Sequence, residues 1–361
     1  MPAPPEAAER TQRGPEPVQP EPVQPEPGWK DPFPRRLARR VLTVPLYFAL
    51  CGLSLVLLPL LLVTAAVTDL LRRGPWVFTR CVLFFQWYLL CEVAGVVVAG
   101  AIFLTTRDRE REVARFFRLQ CGWLRALFAG GVRCFGLRVA VEGNEALPGG
   151  PLLVFMRHAS TADVVLPNVF VSGQTGIVLR YVLKRELLWD PCLDIAGHRL
   201  VNCFVRRGSG NAEREISAVR SLGRSLGPND GVLIYPEGTR FTPQKQARAL
   251  ARIRDTGHGE RIARAEKFAH VLPPRLGGPM ALLEECPEAD VLFCAHVGFD
   301  GARSMGDFLN GALVGSTVRV AFWRVARGAI PHDPQAREAW LFENWQRVDD
   351  WVGRHAQGAP A

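Results

Sequence analysis

Apolar positions along this chain fall into two regimes. Residues 41–68 carry no charge and residues 81–106 carry only Glu92, whereas beyond residue 136 apolar side chains come in short runs set between polar, Gly- and Pro-bearing segments. At about 1.5 Å per residue the first stretch outruns a hydrocarbon core of roughly 30 Å even when tilted, so it is expected to span a bilayer or insert deeply. Pro45 and Pro59 are the positions at which it would kink. The second stretch is expected to return beside it, with Glu92 turned to the partner helix as a structural contact, since an acid working inside a membrane calls for a second ionisable group nearby.

The short runs at 137–141, 152–156, 177–183, 200–205, 232–235, 291–297 and 318–325 predict strands, and helices are predicted at 164–171, 211–226, 277–285 and 335–351. Strands alternating with helices imply an α/β fold: a mixed, largely parallel central sheet flanked by helices, preceded here by an N-terminal membrane helical hairpin. Between hairpin and sheet, Arg115, Phe116, Phe117, Leu119, Trp123, Leu124, Leu127 and Phe128 mix charge with bulk, as amphipathic helices at a membrane interface do. The expected division is therefore a Pro-rich disordered tail at 1–34, two membrane-embedded helices within 35–106, interfacial helices at 107–136 and a folded domain at 137–361.

Charge narrows the choice of partners. The 361 residues carry a formal net charge of +9, which suits nucleic acid, anionic lipid or a phosphorylated substrate. No zinc spacing, recognition-helix pattern or aromatic RNA-binding motif supports nucleic acid, so a bilayer is the expected partner. Arg35, Arg36, Arg39 and Arg40 precede the first apolar stretch and Arg107, Arg109, Arg111, Arg115 and Arg118 follow the second, against Arg72, Arg73 and Arg80 between them. The positive-inside rule then places both outer flanks, and the folded domain, in the cytoplasm. The tail repeats PEPVQ at 15–19 and 20–24, a composition that builds no core, and it precedes an apolar stretch too long for a cleavable signal peptide. Nine cysteines without a CxxC pair read as reduced, packed side chains.

Candidate chemistry sits where apolar runs end. His158 and Asp163, in MRHASTADVV, follow the run at 152–156, and Glu237, Gly238, Thr239 and Arg240, in VLIYPEGTR, follow the run at 232–235; active sites of open α/β sheets lie beyond the carboxyl ends of strands. Five residues along a continuous helix turn through about 500°, so His158 and Asp163 meet only if the histidine lies in the loop before a helix and the aspartate in its first turn. Ser160 and Asp163 form a capping-box pattern, which supports that placement and also allows Asp163 merely to cap a helix. An Arg fork beside a Gly turn suits a phosphate. His296 and Asp300 repeat a His–Asp spacing without a phosphate motif and read as a decoy.

Together these strings resemble the glycerophospholipid acyltransferase family, whose 1-acylglycerol-3-phosphate acyltransferases convert lysophosphatidate to phosphatidate. The resemblance runs from about 139 to 274. VEGNEALPGGPLLVF is similar to the family's lead-in, His158 and Asp163 match its HxxxxD, and GHRLVNCFVRR at 197–207 looks like a divergent second motif. Tyr235 to Arg240 match the third, and LPPR at 272–275 resembles the fourth. Arg157 stands where many members have Asn, Arg206 where an acid is common and Phe241 where Ser is common. The resemblance implies acyl transfer from a thioester of coenzyme A or acyl carrier protein to the free hydroxyl of a lysophospholipid, with no metal or cofactor beyond the thioester. His158 would be the general base and Asp163 the carboxylate that holds its tautomer. Arg207 and Arg240 would grip the acceptor phosphate, Gly238 would admit it to the backbone and Thr239 would donate to it. Glu237 would orient either Arg240 or a substrate hydroxyl. Arg206, Lys184 and Arg185 read equally as a solvated basic face beside anionic lipid. Glycerol 3-phosphate and lysocardiolipin stay open as acceptors, and a thioesterase or an inactive membrane scaffold as other functions. The Ala-, Arg- and Gly-rich composition favours a bacterial inner membrane over endoplasmic reticulum.

Overall fold

The computed structural model describes residues 31–160, 162–205, 212–255, 259–300 and 305–356. In chain order the elements are α1 (Phe33–Arg72), α2 (Val77–Thr105), α3 (Arg109–Phe135), β1 (Arg138–Glu142), β2 (Leu152–Met156), a short α4 (Gly173–Thr175), β3 (Val178–Lys184), α5 (Pro191–Gly197) and β4 (Cys203–Val205). They continue with α6 (Ala212–Leu222), β5 (Asp230–Ile234), α7 (Pro243–Asp255), α8 (Gly259–Ala265), α9 (Gly277–Glu285), β6 (Asp290–Val297), α10 (Met305–Leu309), β7 (Thr317–Val325) and α11 (Pro334–Ala356).

Each of the seven apolar runs forms a strand of one sheet, in the order β1-β7-β6-β2-β5-β3-β4. β6, β2, β5, β3 and β4 run parallel, β7 is antiparallel to β6, and β1 follows β7. Strand alternation makes two cores from one sheet. Leu153, Phe155, Val232, Ile234, Val291 and Phe293 face Trp340, Leu341 and Trp345 of α11. Leu152, Val154, Met156, Leu233 and Leu292 face Phe135 of α3 and Phe170. Because β2 lies between β5 and β6 and runs parallel to β5, the strings that follow β2 and β5 emerge side by side at the carboxyl ends of the central strands.

Several expectations change. The helix expected at 164–171 is a 3-10 turn at Ala162–Val165 followed by a π-helical segment at Pro167–Ser172; Pro167 has no N–H to continue a regular ladder. α5, α7 and α8 were not expected. The interfacial region, read as one or two amphipathic helices, is one, α3, started by the Asp108 side chain accepting from Arg111 N–H at 2.8 Å. Asp31 is buried and pairs with Arg39 and Arg185; the rest of the segment read as a tail, residues 1–30, lies outside the described residues. α1 runs as one helix through Pro45 and Pro59. Glu92 does act as a polar contact, but to α3 and α5: its oxygens accept from Trp123 Nε1 at 2.9 Å and Cys192 N–H at 3.2 Å. A second acid, Asp190, lies next to it, a proximity that depends on tertiary packing.

The two apolar helices pack against one another, and α2 also packs along α3. α1 leaves much of its apolar surface uncovered, Val56 and Leu71 being 77% and 79% exposed. At its start Arg39 and Arg40 reach the buried Asp194 of α5 at 2.6 and 2.7 Å. His198, in the stretch resembling a second motif, lies 3.0 Å from the same carboxylate. Although burial alone would raise it, the His198, Arg40 and Arg39 contacts pull the Asp194 carboxyl down to about 2. All nine cysteines are free thiols.

Candidate active site

His158 leaves β2 two residues after the strand ends, in a loop whose two ends are tied down. Its N–H donates to Glu237 Oε1 at 2.7 Å and its carbonyl accepts from Phe241 N–H at 3.1 Å. The loop after β5 therefore grips the base by its backbone. The imidazole stacks on Tyr235, ring centroids 4.3 Å apart, and its Nδ1 lies 3.3 Å from both oxygens of Asp163. With Nδ1 turned to the carboxylate, Nε2 is the ring nitrogen left for a substrate proton.

Asp163 lies in the first 3-10 turn, as pairing required. It is fully buried and accepts from the N–H groups of Ala159 and Ser160 at 2.7 and 2.9 Å, while Ser160 Oγ accepts from Ala162 N–H at 3.2 Å. Capping and pairing are thus not alternatives, because one carboxylate does both. Burial would raise its pKa; the His158 hydrogen bond, the nearby His296 and His158 charges and the Ser160 N–H outweigh that and hold it below the usual value. The carboxylate is anionic wherever a neutral imidazole can act as base.

The supposed decoy belongs to the frame of this site. His296, fully buried on β6, donates through Nε2 to the Arg157 carbonyl at 3.0 Å and lies 3.6 Å from Asp163. Burial keeps it neutral by lowering its pKa. Asp300 binds the Arg157 guanidinium at 2.6 Å, and that guanidinium also donates to the His296 carbonyl at 2.6 Å. Arg157 thus braces β2 against β6.

Glu237 turns both carboxylate oxygens to backbone N–H groups. It is buried, and its second oxygen accepts from Leu272 N–H at 3.0 Å, so it joins the His158 loop to the LPPR segment. Asp349 of α11 accepts from the N–H groups of Ala269, His270 and Val271, and Trp345 Nε1 donates to the Leu272 carbonyl at 3.1 Å. A line of contacts thus leads from the C-terminal helix to the backbone of the base. Burial pushes the Glu237 carboxyl up to about 8, against the His158 N–H, the Arg157 charge and the Leu272 N–H.

The rest of the turn forms an open lip. Gly238 has φ +66°, a conformation that favours glycine, and a Cβ there would lie 2.8 Å from Arg275 Cδ. Thr239 Oγ1 and the Arg240 carbonyl each accept from Lys245 Nζ at 3.1 Å. Lys245 belongs to no recognisable string and its place in the site was not read from the sequence. Arg206 and Arg207 lie outside the described residues. Arg185 pairs with Asp31 at the start of α1.

A histidine–carboxylate pair beside a basic, glycine-bearing turn on a mixed α/β sheet has the parts of an acyl-transfer site. Residues 138–273 match the family model described as Acyltransferase. Lysocardiolipin acyltransferase 1 of Mus musculus is 22% identical over 246 residues, covering 67% of this chain and 64% of that protein. The 1-acyl-sn-glycerol-3-phosphate acyltransferase of Pseudomonas aeruginosa is 30% identical over 171 residues, covering 45% of this chain and 59% of that protein. Both matches thus span less than two thirds of the relative's own length. The crystal structure of the 1-acyl-sn-glycerophosphate acyltransferase PlsC from Thermotoga maritima has the same fold, with TM-score 0.51 and 17% identity over 78% of this chain and 98% of that one. Residues 138–273 are thus similar in sequence to the acyltransferase family, and the chain shares the fold of PlsC.

Proposed function

We propose that the protein is a membrane-associated O-acyltransferase that moves a fatty acyl group from coenzyme A or acyl carrier protein to the free hydroxyl of a lysophospholipid, foremost lysophosphatidate. The observation that carries this reading is the His158 Nδ1 contact to the buried Asp163 beside the Glu237–Arg240 turn. An alcohol attacks poorly until its proton leaves, and neutral imidazole accepts that proton near pH 7. As the acceptor oxygen bonds to the thioester carbonyl carbon, its proton passes to His158 Nε2. The carbon–sulfur bond then breaks, and the imidazolium returns the proton to the departing thiolate. Asp163 holds the tautomer and offsets the transient positive charge, the triad logic with a substrate hydroxyl in place of serine. Arg240, with Thr239 and Gly238, would take the acceptor phosphate. The arginine-rich flanks support a catalytic domain on the cytoplasmic face, and the Ala-, Arg- and Gly-rich composition favours a bacterial inner membrane over endoplasmic reticulum.

The test is acyl transfer by the purified full chain, supplied with radiolabelled acyl-coenzyme A and a panel of lysolipids. His158→Ala is expected to lower product formation by about a hundredfold or more while the protein stays folded. Equal rates in the variant would overturn the reading. Thioester hydrolysis that ignores added lysolipid would replace it with a thioesterase.

A further inference from the structure

We propose that the outer face of α7 is a docking surface for an acidic carrier protein that presents the acyl thioester to His158. The inference rests on the acyl-transfer reading above and names the source of the donor, a protein-borne thioester rather than free coenzyme A.

α7 begins where the turn after β5 ends. Phe241 N–H donates to the His158 carbonyl at 3.1 Å, and the next residue, Thr242, starts the helix by accepting from Lys245 N–H at 3.2 Å. Leu250 and Ile253 pack against the cluster that holds Trp340 and Trp345, and Gln246 Nε2 donates to the Phe268 carbonyl at 2.6 Å. The helix is thus pinned along one side to the sheet domain and at its start to the loop that carries the base. Arg248 and Arg252 lie about 9 and 15 Å along the helix axis from Thr242.

The other side of α7 is open. Gln244, Arg248, Ala251, Arg252 and Asp255 follow one another at helical spacing and all are exposed. Arg248 and Arg252 form no ion pair among the described residues, whereas Arg254 is taken by Glu266. Acids that could quench the two arginines are few. From 238 to 254 the sequence has no Asp or Glu, and Glu260, on the neighbouring α8, pairs with Arg264. Asp255 alone bounds the face, at its far end. The exposed Ala247 and Ala251 beside the arginines let a second helix approach closely.

The layer in which α7 lies selects among anionic partners. α3 and the start of α2 pack on the opposite side of the sheet, where Phe84 and Phe135 meet Leu152, Val154 and Met156. The arginines of α7 therefore do not belong to the layer that meets the bilayer. A free nucleotide calls for a concave site with converging donors, and these arginines stand on the convex side of a helix. A convex basic ridge complements an acidic helix of another protein, the arrangement by which charged surfaces steer and align their partners. A carrier held there on Arg248 and Arg252 has its flexible arm within a few helical turns of the His158 loop.

Initial rates decide it, measured with the full chain on lysophosphatidate in micelles of neutral detergent. Two donors are compared, palmitoyl-coenzyme A and a purified bacterial acyl carrier protein charged with palmitate. The enzymes are wild type, the double variant Arg248→Glu with Arg252→Glu, and the charge-keeping double variant Arg248→Lys with Arg252→Lys. The Glu pair is expected to raise the KM for the carrier about tenfold, to leave the KM for palmitoyl-coenzyme A within about twofold, and to flatten the rise of the carrier KM with salt. The Lys pair should hold the carrier KM within about threefold of wild type, a rescue that a merely structural role of the arginines would not give. Thermal melting checks the fold, and if the Glu pair does not fold, the same pair changed to Gln carries the comparison. A carrier KM that does not move, a KM that rises equally for both donors, or a wild type that uses only the coenzyme A donor overturns the docking surface. So does a loss confined to vesicles containing anionic lipid, which would assign the face to the bilayer. Each of these outcomes leaves the acyl-transfer reading standing while palmitoyl-coenzyme A supports His158-dependent transfer. A wild type that acylates no lysolipid from either donor, or that ignores His158→Ala, overturns both.

Discussion

Asp163 receives more donors than a helix cap needs, and its chemistry follows from that surplus. Two backbone N–H groups fix the carboxylate and leave it to face His158 Nδ1 with both oxygens. Asp163→Asn keeps the shape but sets an amide where an anion stood, which leaves the developing imidazolium without its counter-charge. We expect kcat to fall by about 10² to 10⁴ with the fold retained. Steady-state rates and thermal melting of the variant check both outcomes, and an unchanged kcat would remove Asp163 from the proton balance. Glu237 titrates in the opposite sense. An unfolded chain holds this carboxyl near its ordinary 4.5, whereas burial holds the folded one up at about 8. The folded state therefore binds the extra proton between those values; the stability it contributes is complete below about 4.5, declines as pH rises through the window and is gone above about 8. Glu237→Gln does not titrate there, so its melting temperature should close on that of wild type as pH rises from 5 to 8. A gap that widens would show that the carboxyl stays ionised throughout. The residues at the ends of β2 and β5 were legible as strings because each motif is local. Glu237 was not legible in its role, because its partners are backbone donors 79 and 35 positions away. His296 looked idle for the same reason: the groups it serves are carried by another strand.

Strands were the most legible elements, since runs such as 152–156 and 291–297 are buried on both faces and need no alternation to be recognised. α7 escaped because its start, TPQKQARALARIR, has few apolar residues and buries none of them fully. The packing of α2 on α3 and on α5 depends on a feature that hydropathy does not record, the absence of side chains at Gly130 and Gly95 respectively. A Cβ on Gly130 would fall 2.1 Å from Trp87 Cδ1, and one on Gly95 would fall 2.5 Å from Cys192 Sγ. Trp87 is held in place by its Nε1 bond to the Ala126 carbonyl at 2.8 Å, so it cannot yield without losing that contact. Gly130→Val should therefore cost about 1–3 kcal/mol, read as a drop in detergent melting temperature. Gly122, with nothing within 4 Å of a Cβ, is the control. Gly122→Ala should be neutral or slightly stabilising, as alanine is the better helix former. Equal losses at both positions would mean that helix propensity rather than close approach governs this contact.

At the scale of the whole molecule the apolar helices do not stand clear of the sheet domain. α2 touches it at both ends. Near the start, Gly311 packs on Val77, Phe84 meets Phe135 edge-on and Phe308 at a tilt, and Arg80 donates to the Cys134 carbonyl at 2.6 Å. Near the end, Gly95 meets Cys192 and Arg199 lies over the Phe103 ring. A helix of 29 residues is about 43 Å long, longer than a hydrocarbon core of roughly 30 Å. Carrying it straight across a bilayer would drag Phe308, Phe135 and the end of α3 to the far side, together with polar backbone that the sheet domain keeps wet. Entry by the exposed flank of α1, with α2 and α3 lying between it and the sheet, avoids that cost. Hydropathy alone pointed to a hairpin that spans or inserts deeply and did not separate the two, because it records how apolar a helix is and not what covers its other face. The turn that joins the helices carries the decision. Gly74 has open space around it, so a protease site placed there should be tolerated, as should a second inserted at Arg107, ahead of the Asp108 cap of α3. We expect protease added to the cytoplasmic face of sealed vesicles to cut both sites, with neither cut from the opposite face. Cleavage at residue 74 from the opposite face alone would establish a membrane-crossing hairpin and would require α2 to leave the contacts it makes here.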